Sequence, residues 1–272
     1  MSQPNVISPE KLTRLIGTAA APAIVDVRTE EDFDADTRLI PTALRRGHRD
    51  VAEWARAFAG RQVVVACHHG AKLSHGVAAW LRQMGAEAQS LEDGFEGWKA
   101  ARLPLVPAAK IPPRDGEGRT LWVTRARPKI DRIACPWLIR RFVDPAALFL
   151  FVAPSEVAAV ADRFQATAFD IEDTFWSHRG EACTFDTMIA EWGLATEPLD
   201  RLATIVRAAD TARPDLAPEA SGLLAASLGL SRMFSDDLKQ LDAGMLLYDA
   251  FYRWCRDATD ETHNWPTNRV KP

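Results

Sequence analysis

The chain has few cysteines, and their spacing is not that of a disulfide framework. Its four cysteines are Cys67, Cys135, Cys183 and Cys255, and no two of them form a Cys-x-x-Cys pair. A secreted scaffold held together by disulfides is therefore not indicated. The simplest interpretation is a protein with reduced thiols in the cytoplasm.

The sequence also lacks long apolar runs and a strong excess of charge. No stretch reaches the roughly 20 apolar residues that a membrane-spanning helix needs. Residues Met1 to Asn5 show no basic segment followed by an apolar one, so we expect no signal peptide. The net charge of -4 provides no general attraction to nucleic acid or to membranes. We therefore predict a cytoplasmic protein that contacts neither, and the sequence makes no prediction of oligomeric state.

Two domains are expected from the length and from one change in composition. The chain has 272 residues, which is enough for two ordinary domains. Prolines and glycines concentrate between residues 107 and 118, as in a linker. We predict a first domain at 1–107 and a second at 119–265.

The hydrophobic patterns differ between the two halves. In the first half, short apolar runs alternate with amphipathic segments, which predicts an α/β domain with a parallel sheet. The second half opens with two strand patterns and then becomes mostly helical, which predicts a mainly helical α+β domain. Its predicted helices span 184–192, 198–211, 217–229 and 236–257.

One stretch of the first half has the pattern of a reactive cysteine loop. The β-branched run 63–65 leads through Ala66 to Cys67, and a helical pattern begins at Ser74. Loop amides and a helix N-terminus placed after a strand form an anion-binding site. We expect Cys67 in that position to be partly thiolate, and therefore nucleophilic. The alternative is a small buried core cysteine.

Four segments of the first half occur in the order of the motifs of rhodanese (sulfurtransferase) domains. They are 24–28, 39–43, the Cys67 loop and 91–98, and the resemblance covers about residues 6 to 106. It implies that Cys67 forms a persulfide and that the following loop binds a small sulfur donor such as thiosulfate, without a cofactor. The implied substrate-binding residues are His68, His69, Gly70, Ala71, Lys72, Leu73 and Ser74. Asp26 and Arg28 end a neighbouring strand, so they either line this site or form a structural ion pair.

The loop departs from the usual Cys-x-x-Gly-x-Arg-Ser pattern of these domains. Lys72 occupies the arginine position, and the serine comes one residue late, at Ser74. In having one extra residue, this loop resembles that of rhodanese-fold relatives that bind larger oxyanions, such as dual-specificity phosphatases and arsenate reductases. Those relatives clamp the oxyanion with an arginine, and a lysine cannot provide the same two-pronged contact. Phosphatase activity is therefore not indicated.

A basic segment, residues 119–141, opens the second half. We consider it a candidate anion site next to a helix N-terminus, or alternatively a basic helix face paired with acids of the last helix. Pro136 fits the first turn of a helix capped near Cys135, unless the helix starts at Asp131 and kinks. The candidate anion-binding residues are Arg132, Cys135, Arg140 and Arg141.

A loop of the second half holds potential metal ligands. His178 and Cys183 lie close together in sequence, and with Asp210 they are candidates for a transition-metal site of mixed N, S and O ligands. Asp170 and Asp186 are alternative carboxylate ligands. The competing interpretation is a polar loop in which Asp186 caps backbone amides and Cys183 is buried. Asp210 lies near a helix C-terminus, where a carboxylate needs a partner.

Several segments of the second half resemble the C-terminal domain of chromate-resistance proteins. The resemblance covers about 119 to 265 and rests on 130–142, 178–186, 206–211 and 222–230. It implies a role in chromate or oxyanion stress. The chain is then either a Cys67-dependent enzyme that handles a sulfur donor or an oxyanion such as chromate, or a chromate-responsive regulator, or a metal-binding stress protein with a degenerate rhodanese domain.

Overall fold

The fold is that of a computed structural model, in which residues 5–261 are described. The outermost parts of both predicted domains, 1–4 and 262–265, lie outside the described residues. No helix among residues 5–261 combines the length and the apolar character needed to cross a membrane.

A five-stranded parallel sheet forms the centre of the first half, as predicted. The β-branched residues 63–65 place their side chains in the core on both faces, which is typical of a central parallel strand. The strands of the sheet, in spatial order, are β1 (Val6–Ile7), β6 (Glu87–Leu91), β5 (Gln62–Ala66), β2 (Ala23–Asp26) and β4 (Leu44–Arg45). A separate antiparallel pair consists of β3 (Arg38–Leu39) and β7 (Val106–Pro107).

Helices connect these strands, and their starts follow from local sequence. Ser8 accepts a hydrogen bond from the amide of Lys11 and Pro9 occupies the first turn, so the first helix begins there. The helices of this half are α1 (Pro9–Leu15), α2 (Glu30–Ala35), α3 (Val51–Trp54), α4 (Lys72–Gln83) and α5 (Gly94–Ala100).

The second half has a small parallel sheet and is otherwise largely helical, as predicted. Its strands, in spatial order, are β10 (Thr167–Ala168), β8 (Leu121–Arg125) and β9 (Leu148–Val152). Its helices are α6 (Asp131–Leu138), α7 (Val157–Phe164), α8 (Thr184–Glu191), α9 (Glu197–Asp210), α10 (Ala220–Met233) and α11 (Asp237–Asp257).

One predicted helix start was wrong, and for another helix the second of the two stated alternatives is observed. The helix after the cysteine loop begins at Lys72, because Ala71 acts as its N-cap, so Ser74 lies inside the first turn. Pro136 is inside α6 rather than in its first turn, and the alternative start at Asp131 is the observed one. A turn of π-helix, Ile139–Val143, continues α6 beyond the proline.

The two halves share one hydrophobic core. Its buried residues come from the first sheet, from α6 and from α11. The backbone of Gly17 packs against the rings of Phe142 and Tyr252, and a Cβ at this position would approach them to 2.5 and 2.7 Å. The amide of Thr42 also donates to the carbonyl of Phe142 at 2.9 Å. The two sheets therefore contribute buried side chains to one hydrophobic cluster.

Candidate functional site

Cys67 lies at the carboxyl end of the central strand β5, directly in front of α4. Its Sγ lies 3.2 Å from Ser74 Oγ, and that hydroxyl donates to the carbonyl of Ala71 at 3.0 Å. Helix geometry leaves the amides of Lys72, Leu73 and Ser74 without acceptors inside α4. These amides and the positive end of the helix dipole favour negative charge beside the sulfur.

Two glycines hold the cysteine loop against the start of α5. Gly70 and Gly94 have positive φ angles of 65° and 58°. A Cβ on Gly94 would lie 2.3 Å from both the Cys67 carbonyl oxygen and the Gly70 nitrogen. Only glycine permits this approach, which explains the Asp-Gly-Phe sequence at this point.

The same contact pairs the backbone carbonyls of the loop with helix α5. The amide of Phe95 donates to the Cys67 carbonyl at 2.9 Å, and that of Glu96 donates to the His68 carbonyl at 3.0 Å. With these carbonyls occupied by α5, the loop can direct its own amides toward a ligand.

The other predicted loop residues differ in their exposure. His69, Ala71 and Lys72 are exposed, whereas His68, Gly70 and Leu73 are half-buried and Ser74 is fully buried. The rings of His68 and His69 meet edge to face, with centroids 4.3 Å apart. Among the predicted loop residues, Ser74 places its hydroxyl against the Cys67 sulfur, and the Ala71 carbonyl lies 3.8 Å from the same sulfur.

Asp26 and Arg28 form a buried ion pair beneath this edge of the sheet. Arg28 Nη2 lies 2.6 Å from Asp26 Oδ2, and its Nη1 donates to the Asp36 carbonyl at 2.8 Å. The guanidinium also stacks on the ring of Phe95, 3.7 Å from the centroid. Protein groups occupy these donors, so the geometry corresponds to the structural alternative rather than to a substrate contact.

The predicted anion site of the second half is not assembled. Arg141 makes a two-pronged contact with Asp249 at 2.8 and 2.7 Å, and Arg140 Nη1 lies 3.6 Å from Asp242 Oδ1. Cys135 is completely buried, and burial raises the pKa of its thiol. The contacts of Arg140 and Arg141 match the alternative prediction of a basic face paired with acids of the last helix.

A histidine surrounded by carboxylates occupies the carboxyl edge of the second sheet. His178 Nε2 lies 3.4 Å from Asp131 Oδ2, 3.3 Å from Asp170 Oδ1 and 3.3 Å from Asp210 Oδ2. Asp131, Asp170 and His178 each offer one ligand atom, all within 4.8 Å of one another. We call these four residues the carboxylate–histidine cluster.

The charges of the cluster perturb one another. Burial raises the pKa of Asp131, although its hydrogen bond with His178 opposes the shift. Burial, reinforced by the charges of Asp131 and Asp170, raises the pKa of Asp210 to about 7. Hydrogen bonds with Asp131 and then Asp170 raise the pKa of His178 to about 10. The cluster therefore strongly favours positive charge at its centre.

Of the three predicted metal ligands, the structure brings His178 and Asp210 together but not Cys183. Cys183 is buried at the N-cap of α8, where its backbone amide donates to the carboxylate of Asp186 at 3.0 Å. This arrangement matches the competing interpretation for that cysteine. Asp131 is a ligand candidate that the sequence did not predict, because within the basic segment it stands out only as an opposing charge. The available signal was its position after β8, since carboxyl ends of parallel strands collect ligands.

Two family models match the chain, one in each half. The rhodanese-like domain model matches residues 8–101, which contain the Cys67 loop and its α5 partner. The model of the ChrB C-terminal domain matches residues 122–255, which contain the carboxylate–histidine cluster. The chain belongs to the rhodanese-like family, and its second half is similar to the ChrB C-terminal domain. The resemblances predicted for both halves are confirmed.

Individual relatives cover different shares of the chain. Protein ChrB of Cupriavidus metallidurans is 35% identical over 149 residues, which cover 53% of this chain and 44% of that protein. The chain thus spans less than half of that ChrB relative. Thiosulfate sulfurtransferase GlpE of Actinobacillus succinogenes is 31% identical over 109 residues, 39% of this chain and 95% of the relative. A solved rhodanese-like domain protein from Staphylococcus aureus covers 35% of this chain and 90% of its own, with 24% identity and a TM-score of 0.32.

Proposed function

We propose that this chain is a cysteine-dependent sulfurtransferase of chromate or oxyanion stress, in which Cys67 carries a persulfide. The observation that supports it best is the position of the Cys67 sulfur, 3.2 Å from Ser74 Oγ and at the N-terminus of α4. The GlpE relatives, whose name states thiosulfate sulfurtransferase activity, align with this chain over nearly their whole length.

In the proposed reaction, the Cys67 thiolate attacks the outer sulfur of thiosulfate. A new S–S bond forms at Cys67 while the S–S bond of thiosulfate breaks, and sulfite leaves with the electron pair of that bond. The result is Cys67 persulfide. An acceptor thiol or cyanide then attacks the outer persulfide sulfur and restores the Cys67 thiolate.

The side chains around the sulfur have distinct proposed roles. The amides at the start of α4 bind the sulfonate oxygens of thiosulfate. The Ser74 hydroxyl, which now donates to Ala71, rotates to donate to the persulfide anion. Lys72 is exposed beside the loop and attracts the dianionic donor as a point charge. Rhodanese-like domains typically need no cofactor for this chemistry.

The role in oxyanion stress rests on the second half. The ChrB C-terminal domain and the ChrB relative link the chain to chromate resistance. We propose that the ligands of the protein are small oxyanions such as chromate, or the sulfur compounds that are consumed during chromate stress.

The decisive experiment compares the full chain with Cys67→Ser. We expect thiosulfate-dependent thiocyanate formation to disappear in the variant, and intact-protein mass spectrometry to find one added sulfur atom on the wild type only. Cys255→Ala is the matched control, because that thiol lies on α11 in a different cluster of buried residues from Cys67 and its loss should leave activity unchanged. Equal activity of Cys67→Ser and wild type would refute the proposal.

Ser74→Ala tests the assigned hydroxyl separately. Loss of one hydrogen bond to a charged sulfur, worth about 1.5 kcal/mol, should lower the rate about tenfold. An unchanged rate would exclude the proposed role of Ser74 while leaving that of Cys67 intact.

A further inference from the structure

The carboxylate–histidine cluster places three carboxylate acceptors around one imidazole nitrogen, which is more than a single N–H can bond well. An imidazole Nε2 carries at most one hydrogen. Three carboxylate oxygens nevertheless lie 3.3–3.4 Å from Nε2 of His178. A metal ion, in contrast, contacts several such atoms at once. Ligands about 2.0–2.1 Å from a tetrahedrally coordinated ion lie roughly 3.3 Å from one another, close to the spacing seen here.

An unpartnered buried atom points in the same direction. Asp131 is 0% exposed, and its Oδ1 has no hydrogen-bond partner among residues 5–261. Its other oxygen, Oδ2, faces His178 and accepts the amide of Thr184 at 2.6 Å. Burying a carboxylate with one oxygen unpaired is unfavourable by several kcal/mol in general, and a cation bound at Oδ2 would offset that cost by neutralising the charge.

The neighbouring contacts orient the carboxylates without closing the site. Arg125 and Arg132 both approach Asp170 through Oδ2, at 3.2 and 3.3 Å. Its Oδ1 is left facing His178 and accepts the hydroxyl of Thr184 at 3.0 Å. Such second contacts hold ligating carboxylates in place around metals.

We propose that Asp131, Asp170 and His178 bind one divalent transition-metal ion, with the carboxylate of Asp210 beside them as a further negative charge. One imidazole with carboxylates suits ions such as Mn²⁺, Fe²⁺ or Zn²⁺, whereas Mg²⁺ and Ca²⁺ favour ligand sets made only of oxygen. The buried Cys183 is not among the ligands. The His178 side chain is 40% exposed, so the ion is open to solvent and keeps a position for water or an anion.

The test uses the full chain, purified without a histidine tag, stripped with a chelator and dialysed. Mn²⁺, Zn²⁺ and Mg²⁺ are then added separately, and binding is followed by calorimetry and elemental analysis. We expect one equivalent of Mn²⁺ or Zn²⁺, weaker binding of Mg²⁺, and a thermal midpoint that rises with metal concentration. A stoichiometry near zero, or Mg²⁺ binding as tightly as the other two ions, would overturn the proposal.

Variants separate this site from adventitious histidine binding. His178→Gln should weaken Mn²⁺ binding about a hundredfold or more, because it removes the nitrogen ligand from a partly exposed position. Asp210→Asn should also weaken it and serves as a second variant if one protein folds poorly. His75→Gln, on the exposed face of α4, is the matched control and should bind as the wild type does. Equal affinity of His178→Gln and wild type would contradict the assignment.

The site is independent of the sulfur-transfer proposal. Cys67→Ser should bind the metal normally, and His178→Gln should still form the Cys67 persulfide. The failure of one proposal is therefore distinguishable from the failure of the other.

Discussion

Replacing Gly94 with alanine tests how strictly the cysteine loop depends on its contact with α5. The new Cβ would lie 2.3 Å from the Cys67 carbonyl oxygen and 2.3 Å from the Gly70 nitrogen. Both are backbone atoms, which cannot swing away as a side chain can. The substitution must therefore move the loop that holds the nucleophile.

The magnitude follows from two separable effects. A residue other than glycine at a φ of +58° costs about 1–2 kcal/mol. Overpacking costs about 1–3 kcal/mol, and contacts this short place Gly94→Ala at the upper end. We expect the free energy of unfolding to fall by about 3–5 kcal/mol, which is a large part of the stability of an ordinary domain.

Two glycines of the same half provide controls. Gly60 has a φ of +73°, but a Cβ added there would meet no atom within 4 Å in the described part of the chain, so Gly60→Ala reports the backbone effect alone. Gly76 lies in α4 with equally open space, and Gly76→Ala should stabilise the helix by about 1 kcal/mol.

Urea unfolding of the three variants measures these differences, and thiocyanate formation below the transition reports loop geometry. We expect Gly94→Ala to lose both stability and sulfur transfer, and the two controls to retain transfer. If Gly94→Ala were no less stable than Gly60→Ala, the close approach of the loop backbone to Gly94 would not be a source of destabilisation.

Three further predictions concern the second half and its junction with the first. Asp144→Asn should lower the free energy of unfolding by about 2–3 kcal/mol in urea titrations, because the buried carboxylate accepts both the amide and the hydroxyl of Thr120 at 2.6 and 2.7 Å; an unchanged midpoint would contradict this. Gly17→Ala should destabilise the protein by about 2–4 kcal/mol in one calorimetric transition, since its Cβ meets Phe142 and Tyr252; a separate, unshifted transition of either half would argue against a shared core. In chelated protein, the pKa of His178 is raised from 6.5 to about 10. Its stabilising effect is therefore fully present below pH 6.5 and is lost as pH rises to about 10, so the difference in free energy of unfolding between wild type and His178→Gln should close over that range. A constant difference would contradict the raised pKa of His178.

Much of the first half was predictable because local signals and the fold agree. β-branched runs bounded by polar loops predicted the central strands, and the position of Cys67 after one of them predicted its place at the sheet edge. The exact start of α4 was missed, because Ala71 caps the helix without a side-chain hydrogen bond and leaves no capping signature in the sequence.

The carboxylate–histidine cluster was only partly predictable, since its members meet through tertiary folding. The residue types and positions of His178 and Asp210 indicate ligands, but Asp131 is far from both along the chain. Sequence spacing carries no information about such contacts. Cys183 is an attractive ligand by chemistry alone, and it is instead a buried helix cap because α8 begins immediately after it.

Packing of Gly17 against Tyr252 brings an early segment of the chain into contact with the last helix. During synthesis the ribosome releases the rhodanese-like half first, well before Tyr252 and Phe142 have been made. That half therefore emerges with part of its apolar surface uncovered, although its own sheet is complete. We expect the nascent chain to depend on chaperones, or on a pause in translation, until α11 has been synthesised. The rate of translation should therefore affect the yield of folded protein.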